Sequence, residues 1–230
     1  MKLEAVDISG MASASSIIFD VLRNAIITGQ IPEGTPLRQD EIARKFNVSR
    51  IPVREAISRL EEQGLVLTQR YKGAVVAGLS AREAAEIFDL RALLEPEIIR
   101  EGVPRMTPEL LAEARRQCEA FSASSDPMEW GDLNRVFHTT LYSASTLGYF
   151  IEVCDKAMDR VERHVRAQLV MSNGMARAGR EHMAILKACE AGEADRAANL
   201  IREHILGAKA SLLQHFPTAS EGKTARPEDT

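Results

Sequence analysis

Residues 36–66 read PLRQDEIARKFNVSRIPVREAISRLEEQGLV, and the spacing of apolar residues in this stretch decides the fold. From Gln39 to Phe46, Ile42, Ala43 and Phe46 fall on one side and Arg44 and Lys45 on the other, which predicts a short amphipathic helix. Asn47-Val48 makes a tight turn, and Ser49 is placed to cap the next helix. Val53, Ala56, Ile57 and Leu60 form the buried stripe of that helix, which stops at Gly64. Upstream, Ile17, Ile18, Val21, Leu22, Ala25 and Ile26 give residues 13–27 the same rhythm, with Gly29 as C-cap. Downstream, residues 65–68 and 74–77 are β-prone runs around the polar Gln69-Arg70-Tyr71-Lys72-Gly73, a small hairpin. Three helices and a hairpin within residues 14–79 are the parts of a winged helix-turn-helix.

Ser80 followed by Glu83 is a capping box, so a new helix starts there and the domain boundary falls close to Leu79. Beyond it the apolar rhythm is helical throughout. Six helices are predicted, at about residues 81–102, 108–124, 127–146, 148–171, 179–191 and 194–216, forming an antiparallel six-helix bundle. Thr107-Pro108 and Asp126-Pro127 are cap-plus-proline starts, and Gly192 ends the fifth helix. Pro96 lies inside the first of the six and is expected to kink or split it. Residues 1–13 read as a flexible N-terminus and residues 217–230, without apolar periodicity, as a disordered tail. The expected fold is mainly α.

Composition agrees. Of 230 residues, 45% are hydrophobic, 27% charged and only 5% aromatic, which excludes a wholly disordered or collagenous chain and disfavours an all-β fold. Cys118, Cys154 and Cys189 are an odd number without a C-x-x-C pair, so they read as buried thiols of a reducing cytosol. The start MKLEAVDISG has no charged region followed by an apolar one, and no run of 18 apolar residues occurs. The expected location is cytoplasmic, with no membrane partner.

The net charge of −4 conceals an asymmetry: residues 1–79 carry +1 and residues 80–230 carry −5. Between Arg38 and Lys72 stand 8 basic and 5 acidic side chains, a local basic surface beside an acidic remainder. A helix-turn-helix sets the N-terminal part of its second helix in the major groove, and Ser49-Arg50-Ile51-Pro52-Val53-Arg54 supplies the polar and basic side chains that position needs. Arg50 and Arg54 share a face and suit guanine edges or phosphates. The same spacing also suits solvated arginines of an ordinary surface helix. Arg59, further along, is expected to touch backbone or solvent.

His138, His182 and His204 each fall on the apolar face of a predicted helix, and Asn134 lies one turn before His138 on the same face. Helix bundles build metal sites by projecting such ligands inward from facing helices. Three separate, hydrogen-bonded core histidines would give the same pattern.

Residues 36–66, and the run S-R-x-P-V-R-E-A-x-x-x-L-x-x-x-G-L-V within them, resemble the GntR-type winged helix-turn-helix across about residues 14–79. The resemblance implies that Ser49, Arg50, Pro52 and Arg54 face the DNA operator, that Arg70, Tyr71, Lys72 and Gly73 of the wing approach the adjacent minor groove, and that Arg38 is a further contact. Ile51 stands where threonine is commoner. Residues 80–216 resemble the all-helical FCD ligand-binding domain of the FadR-like branch, in its six-helix, VanR-like version. The motifs are Leu90-Arg91-x-x-Leu94-Glu95, Asn134-x-x-Phe137-His138, Glu181-His182-x-x-Ile185-Leu186 with Ala188, and Ala197-Ala198 leading to His204. By resemblance, Asn134, His138, His182 and His204 hold a divalent ion, with Zn, Ni and Mn not distinguished. Asn134 stands where Asp is usual, so one charge is missing from the ligand set. A small carboxylate effector would bind the ion and an arginine together, with Arg91 and Arg163 as candidates; an Arg91–Glu95 salt bridge is the alternative for Arg91. His164, sharing a face with Ala157 and Val161, is a further cavity candidate, and His215 is read as incidental. The implied protein is a regulator, with repression as the default. It binds a pseudo-palindromic operator as a homodimer, is switched by a small organic acid and is not an enzyme. Two alternatives stay open: a metal-dependent enzyme with Glu181 as its sole neighbouring base, and a bundle that only dimerises.

Overall fold

The computed structural model describes residues 13–171 and 175–214, with backbone alone at residues 127, 128, 163 and 167–171. Residues 1–12 and 215–230 lie outside the described residues; these take in the expected tail 217–230, His215 and all of the expected flexible stretch 1–13 except Ser13.

The first unit is built as its pattern dictates. Helix α1 (Ala14–Ile27) is capped by the Ser13 hydroxyl, and the chain leaves it through Thr28 and Gly29, whose φ of 77° supplies the left-handed turn. Helix α2 (Gln39–Phe46) ends at Asn47 with φ 52°, the tight turn that aims α3 (Arg50–Glu62) across it. Strands β1 (Val66–Gln69) and β2 (Gly73–Val76) pair antiparallel, with Val66 opposite Val76 and Gln69 opposite Gly73, and the Pro36–Val75 bridge ties the α1–α2 connection onto the wing. Ile18, Val53, Ala56, Leu60 and Val66 are almost fully buried in the shared core. Arg59 differs from expectation: its guanidinium stacks 4.0 Å over Phe19 and donates to Ser16 Oγ, so it clamps α3 to α1.

Among the described residues the second unit has six α-helices, α4 (Ala81–Gly102), α5 (Pro108–Ala123), α6 (Pro127–Tyr142), α7 (Gly148–Met171), α8 (Met175–Glu190) and α9 (Ala194–Gln214), with a short 3-10 turn at Val103–Arg105 after α4. The Ser80 and Thr107 hydroxyls cap α4 and α5. Three details depart from the sequence reading. Pro96 does not split α4, which runs unbroken for 22 residues; the proline is buried, and α4 packs along α9, so core burial offsets the lost hydrogen bond. Helix α6 ends at Tyr142, not at residue 146, because Glu101 draws Ser145 Oγ, Thr146 N and Thr146 Oγ1 into hydrogen bonds outside the helix. Helix α8 starts at Met175, with Gly179 inside it, because there α8 closes on α5: a Cβ at Gly179 would lie 3.0 Å from Ser122 Oγ. Phe88, Phe121, Phe137, Ile185 and Leu186 form the centre of this second core.

Candidate DNA-reading face and histidine centre

At one end of the first unit, the N-termini of α2 and α3 and the tip of the wing enclose an open cleft of about 420 Å³, lined by Arg38, Asp40, Arg44, Arg50, Lys72 and Gly73 among others. Arg38 and Arg50 are exposed, as is Arg54 on the next turn of α3, while Pro52 is half-buried at the helix start. Ser49 occupies the N-cap position of α3 but makes no side-chain cap hydrogen bond there. Arg50 Nε lies 3.1 Å from Asp40 Oδ1, and Arg38 is 3.7 Å from Glu41. At the wing tip Tyr71 is 92% exposed with φ 68°, and the Arg70 guanidinium lies 5.0 Å from its ring centre. The structure thus brings Arg38, Arg50, Lys72 and Gly73 into one cleft, whereas Ser49, Pro52, Arg54, Arg70 and Tyr71 do not line it. Arg44 belongs with them; its alternation with Lys45 on the outer face of α2 was its only signal in the sequence.

Inside the bundle, α6, α8 and α9 bring His138, His182 and His204 together, with one nitrogen from each lying within 4.8 Å of the others. All three rings are buried. His182 packs between Phe121 and Phe137, at 4.8 and 4.6 Å between ring centres, and neither of its nitrogens has a hydrogen-bond partner. His138 Nδ1 lies 3.4 Å from Tyr142 Oη, whose proton goes to Glu95 Oε2 at 2.5 Å, so Nδ1–H is the donor and the unpartnered Nε2 keeps its lone pair. His204 Nδ1 lies 2.7 Å from Glu181 Oε2, which likewise directs Nε2 away from the carboxylate. Burial, reinforced at His138 by His182, His204 and Arg91 and at His182 by His204, holds both rings well below the usual histidine range, hence neutral. Neutral imidazole is the metal-ligating form. Convergent buried nitrogens, with His138 Nε2 and both nitrogens of His182 unpartnered, fit a divalent ion, and His182 does not fit a hydrogen-bonded core histidine.

Asn134 is buried and lines a cavity of about 20 Å³ with Phe88, Arg91, Arg177 and His204; a second cavity of similar size holds Arg91, Glu95, His138, Tyr142 and Cys154. Each has room for about one water-sized group. Arg91 borders both, but Glu95 already grips it, at 2.6 Å through Nε, which is the salt bridge that the i, i+4 spacing allows. Burial and the Glu95 carboxylate push the Tyr142 hydroxyl well above its usual range, so it stays protonated, and burial takes the Cys154 thiol to about 12. Arg163 is on α7 with its side chain outside the described residues. His164 is not in this cavity: it faces Glu33 of the first unit at 3.7 Å. Sequence reasoning missed Arg177 and Tyr142 and the partnership of Glu181 with His204, because only the crossing of helices brings them to the histidines.

A winged helix-turn-helix followed by an all-helical bundle is the build of a transcriptional regulator. The gntR family of bacterial regulatory proteins matches residues 14–76 and the FCD domain residues 86–207. This chain belongs to the GntR family, in its FadR-like branch with an FCD domain, and is a regulator and not an enzyme. It is 28% identical over 196 residues to the HTH-type transcriptional repressor GlaR of Escherichia coli, covering 80% of this chain and 89% of GlaR. The gluconate operon transcriptional repressor of Bacillus subtilis is 35% identical over 131 residues, 56% of this chain and 54% of that protein. The fold is shared with E. coli McbR/YncC, at a TM-score of 0.78 and 21% identity over 89% of this chain and 99% of that one. Among the described residues no helix is long and apolar enough to cross a membrane.

Proposed function

We propose that this chain is a repressor that binds a pseudo-palindromic operator as a homodimer and is switched by a small carboxylate at a divalent ion in the bundle. Residues 14–79 read DNA through Arg38, Ser49, Arg50, Pro52, Arg54 and the wing residues 70–73; residues 80–216 sense and dimerise. One winged domain reads few base pairs, and two-fold pairing doubles the contacts at fixed half-site spacing. Repressor names among the relatives support the sign of regulation.

The observation that carries the sensing half is the convergence of three buried imidazoles from three helices within 4.8 Å, two of them, His138 and His182, with unpartnered nitrogens. His138, His182 and His204 would hold the ion with Asn134 as fourth ligand, and the ion would supply a positive centre for one carboxylate oxygen. Arg177, which lines the cavity with His204 and Asn134, would receive the rest of the anion, and Arg91 would do so only if it left Glu95. Arg163 remains a candidate from its sequence position. Elemental analysis and titration with zinc, nickel and manganese test the centre. One ion per chain is expected, lost in the His182→Ala/His204→Ala double variant; a full equivalent retained there would sink the site. Asn134→Asp adds a charge and should tighten binding, and weaker binding would remove Asn134 from the ligand set. A melting screen against small carboxylates, with and without metal, then identifies the effector class.

A further inference from the structure

Ion pairs cross between the two units beside the apolar Ile26, Ile27, Leu65 and Leu79, and one of them centres on a buried carboxylate. Asp159, on α7, is 4% exposed. From the first unit, Arg23 of α1 takes it in a two-point grip, Nε on Oδ2 at 2.7 Å and Nη2 on Oδ1. From inside the bundle, Arg135 Nη1 approaches the same Oδ1 at 2.7 Å, but off the hydrogen-bond direction. Arg135 is the residue after Asn134 and lies one turn before His138, on the same helix.

Arg135 also has a second acceptor. Glu162 is fully buried, neither of its oxygens is hydrogen-bonded, and Oε2 lies 3.6 Å from Arg135 Nη1; Arg166 Nε, on the other side, is 3.0 Å from Oε1. A buried carboxylate left this poorly satisfied is costly, and better geometry is available to it if Arg135 turns. Arg135 Nη1 thus lies between two buried carboxylates, nearer Asp159 than Glu162, and settling on one or the other would give the two states that a switch element requires. A shift of α6 would choose between them, and with Arg135 gone the Arg23–Asp159 grip would hold the winged unit without any input from α6.

We infer that Asp159 is the joint between sensor and reader: it fixes the winged domain through Arg23 and receives the state of α6 through Arg135. This rests on the reading of the histidine centre as the sensory site. The two arms differ in kind. Arg23 is the hinge pin, and Arg135 is the part that moves. The neighbouring contacts, Arg160 with Gly78 O and Glu83 and His164 with Glu33, belong to the linker side of the same interface.

The test is hydrogen exchange of α1 and residues 77–80 in the full-length protein, zinc-loaded and EDTA-treated, with zinc affinity measured by calorimetry on the same samples. In the wild type, zinc should change α1 exchange by about 5-fold or more, in the range of ordinary coupling between sites. Arg135→Gln should bind zinc within about 3-fold of wild type yet lose the α1 response. Arg23→Gln, at a partly exposed position that leaves Asp159 paired, should raise α1 exchange in both states, and Asp159→Asn should do the same where it folds. Zinc bound by the wild type without any α1 response, or a full response kept in Arg135→Gln, overturns the joint and leaves the histidine centre standing. No zinc binding by the wild type takes down the centre and the joint together.

Discussion

His182 exposes nothing to solvent and yet leaves both ring nitrogens without a partner, a state that costs free energy unless something binds there. Sequence could place this residue on an inward face but could not show that its neighbours are two phenylalanines and two more imidazoles. The residue scale also governs the DNA-reading face. Asp40 pairs with Arg50 through Nε, which in the proposed reading would leave the terminal nitrogens of the guanidinium to a guanine edge and set a negative charge beside the proposed DNA contacts. Arg50→Ala and Arg54→Ala should each weaken operator binding by about 1–3 kcal/mol. Asp40→Asn should act in the opposite sense on non-specific duplex, raising affinity for every sequence while narrowing the gap between operator and random DNA. Competition titrations at fixed salt separate the two effects, and an unchanged operator-to-random ratio in Asp40→Asn would make that pair an ordinary surface contact, of the kind usually worth little.

At the scale of elements, apolar rhythm located the nine α-helices among the described residues, since period is a local property, but not the short 3-10 turn at Val103–Arg105; Ser80 and Thr107 cap where the sequence places them, whereas Ser49 makes no side-chain cap bond. Ends set by tertiary contacts were not legible. Glu101 shortens α6 from another helix, and Ser122 explains Gly179 only once α5 lies against α8. Helices α6 and α8 bring neutral His138 and His182 together, and this has a consequence for pH. Both rings have folded-state values depressed below about 6.5, their ordinary value. Below that pH the unfolded chain takes up protons that the folded chain refuses, so stability present above about pH 6.5 is lost as pH falls toward the folded-state values. Urea denaturation of chelated protein at about pH 7.5 and about pH 5.5 should show the loss in wild type and a smaller one in His182→Leu; equal losses would mean that His182 is not held neutral by burial.

At the scale of the whole molecule, two cores meet with ion pairs between them, and only one of the cores contains the proposed ion centre. A ligand that binds the folded state alone stabilises it in proportion to the logarithm of its excess, about 2.7 kcal/mol at 100 times Kd. For a chain of this size each kcal/mol moves Tm by about 2–4 °C, so a saturating divalent ion should raise it by about 5–10 °C and EDTA should reverse the rise. The His182→Ala/His204→Ala variant should melt at one temperature with or without the ion. If the winged unit is fastened through Arg23 and Asp159, its own unfolding should track the bundle upward. That is read separately by the fluorescence of Trp130 in α6 and of a tryptophan placed at Tyr71, at the exposed wing tip. A rise confined to Trp130 would show that the ion stabilises its own core without reaching the DNA-reading unit, and a rise at neither probe would return the three histidines to the status of core residues.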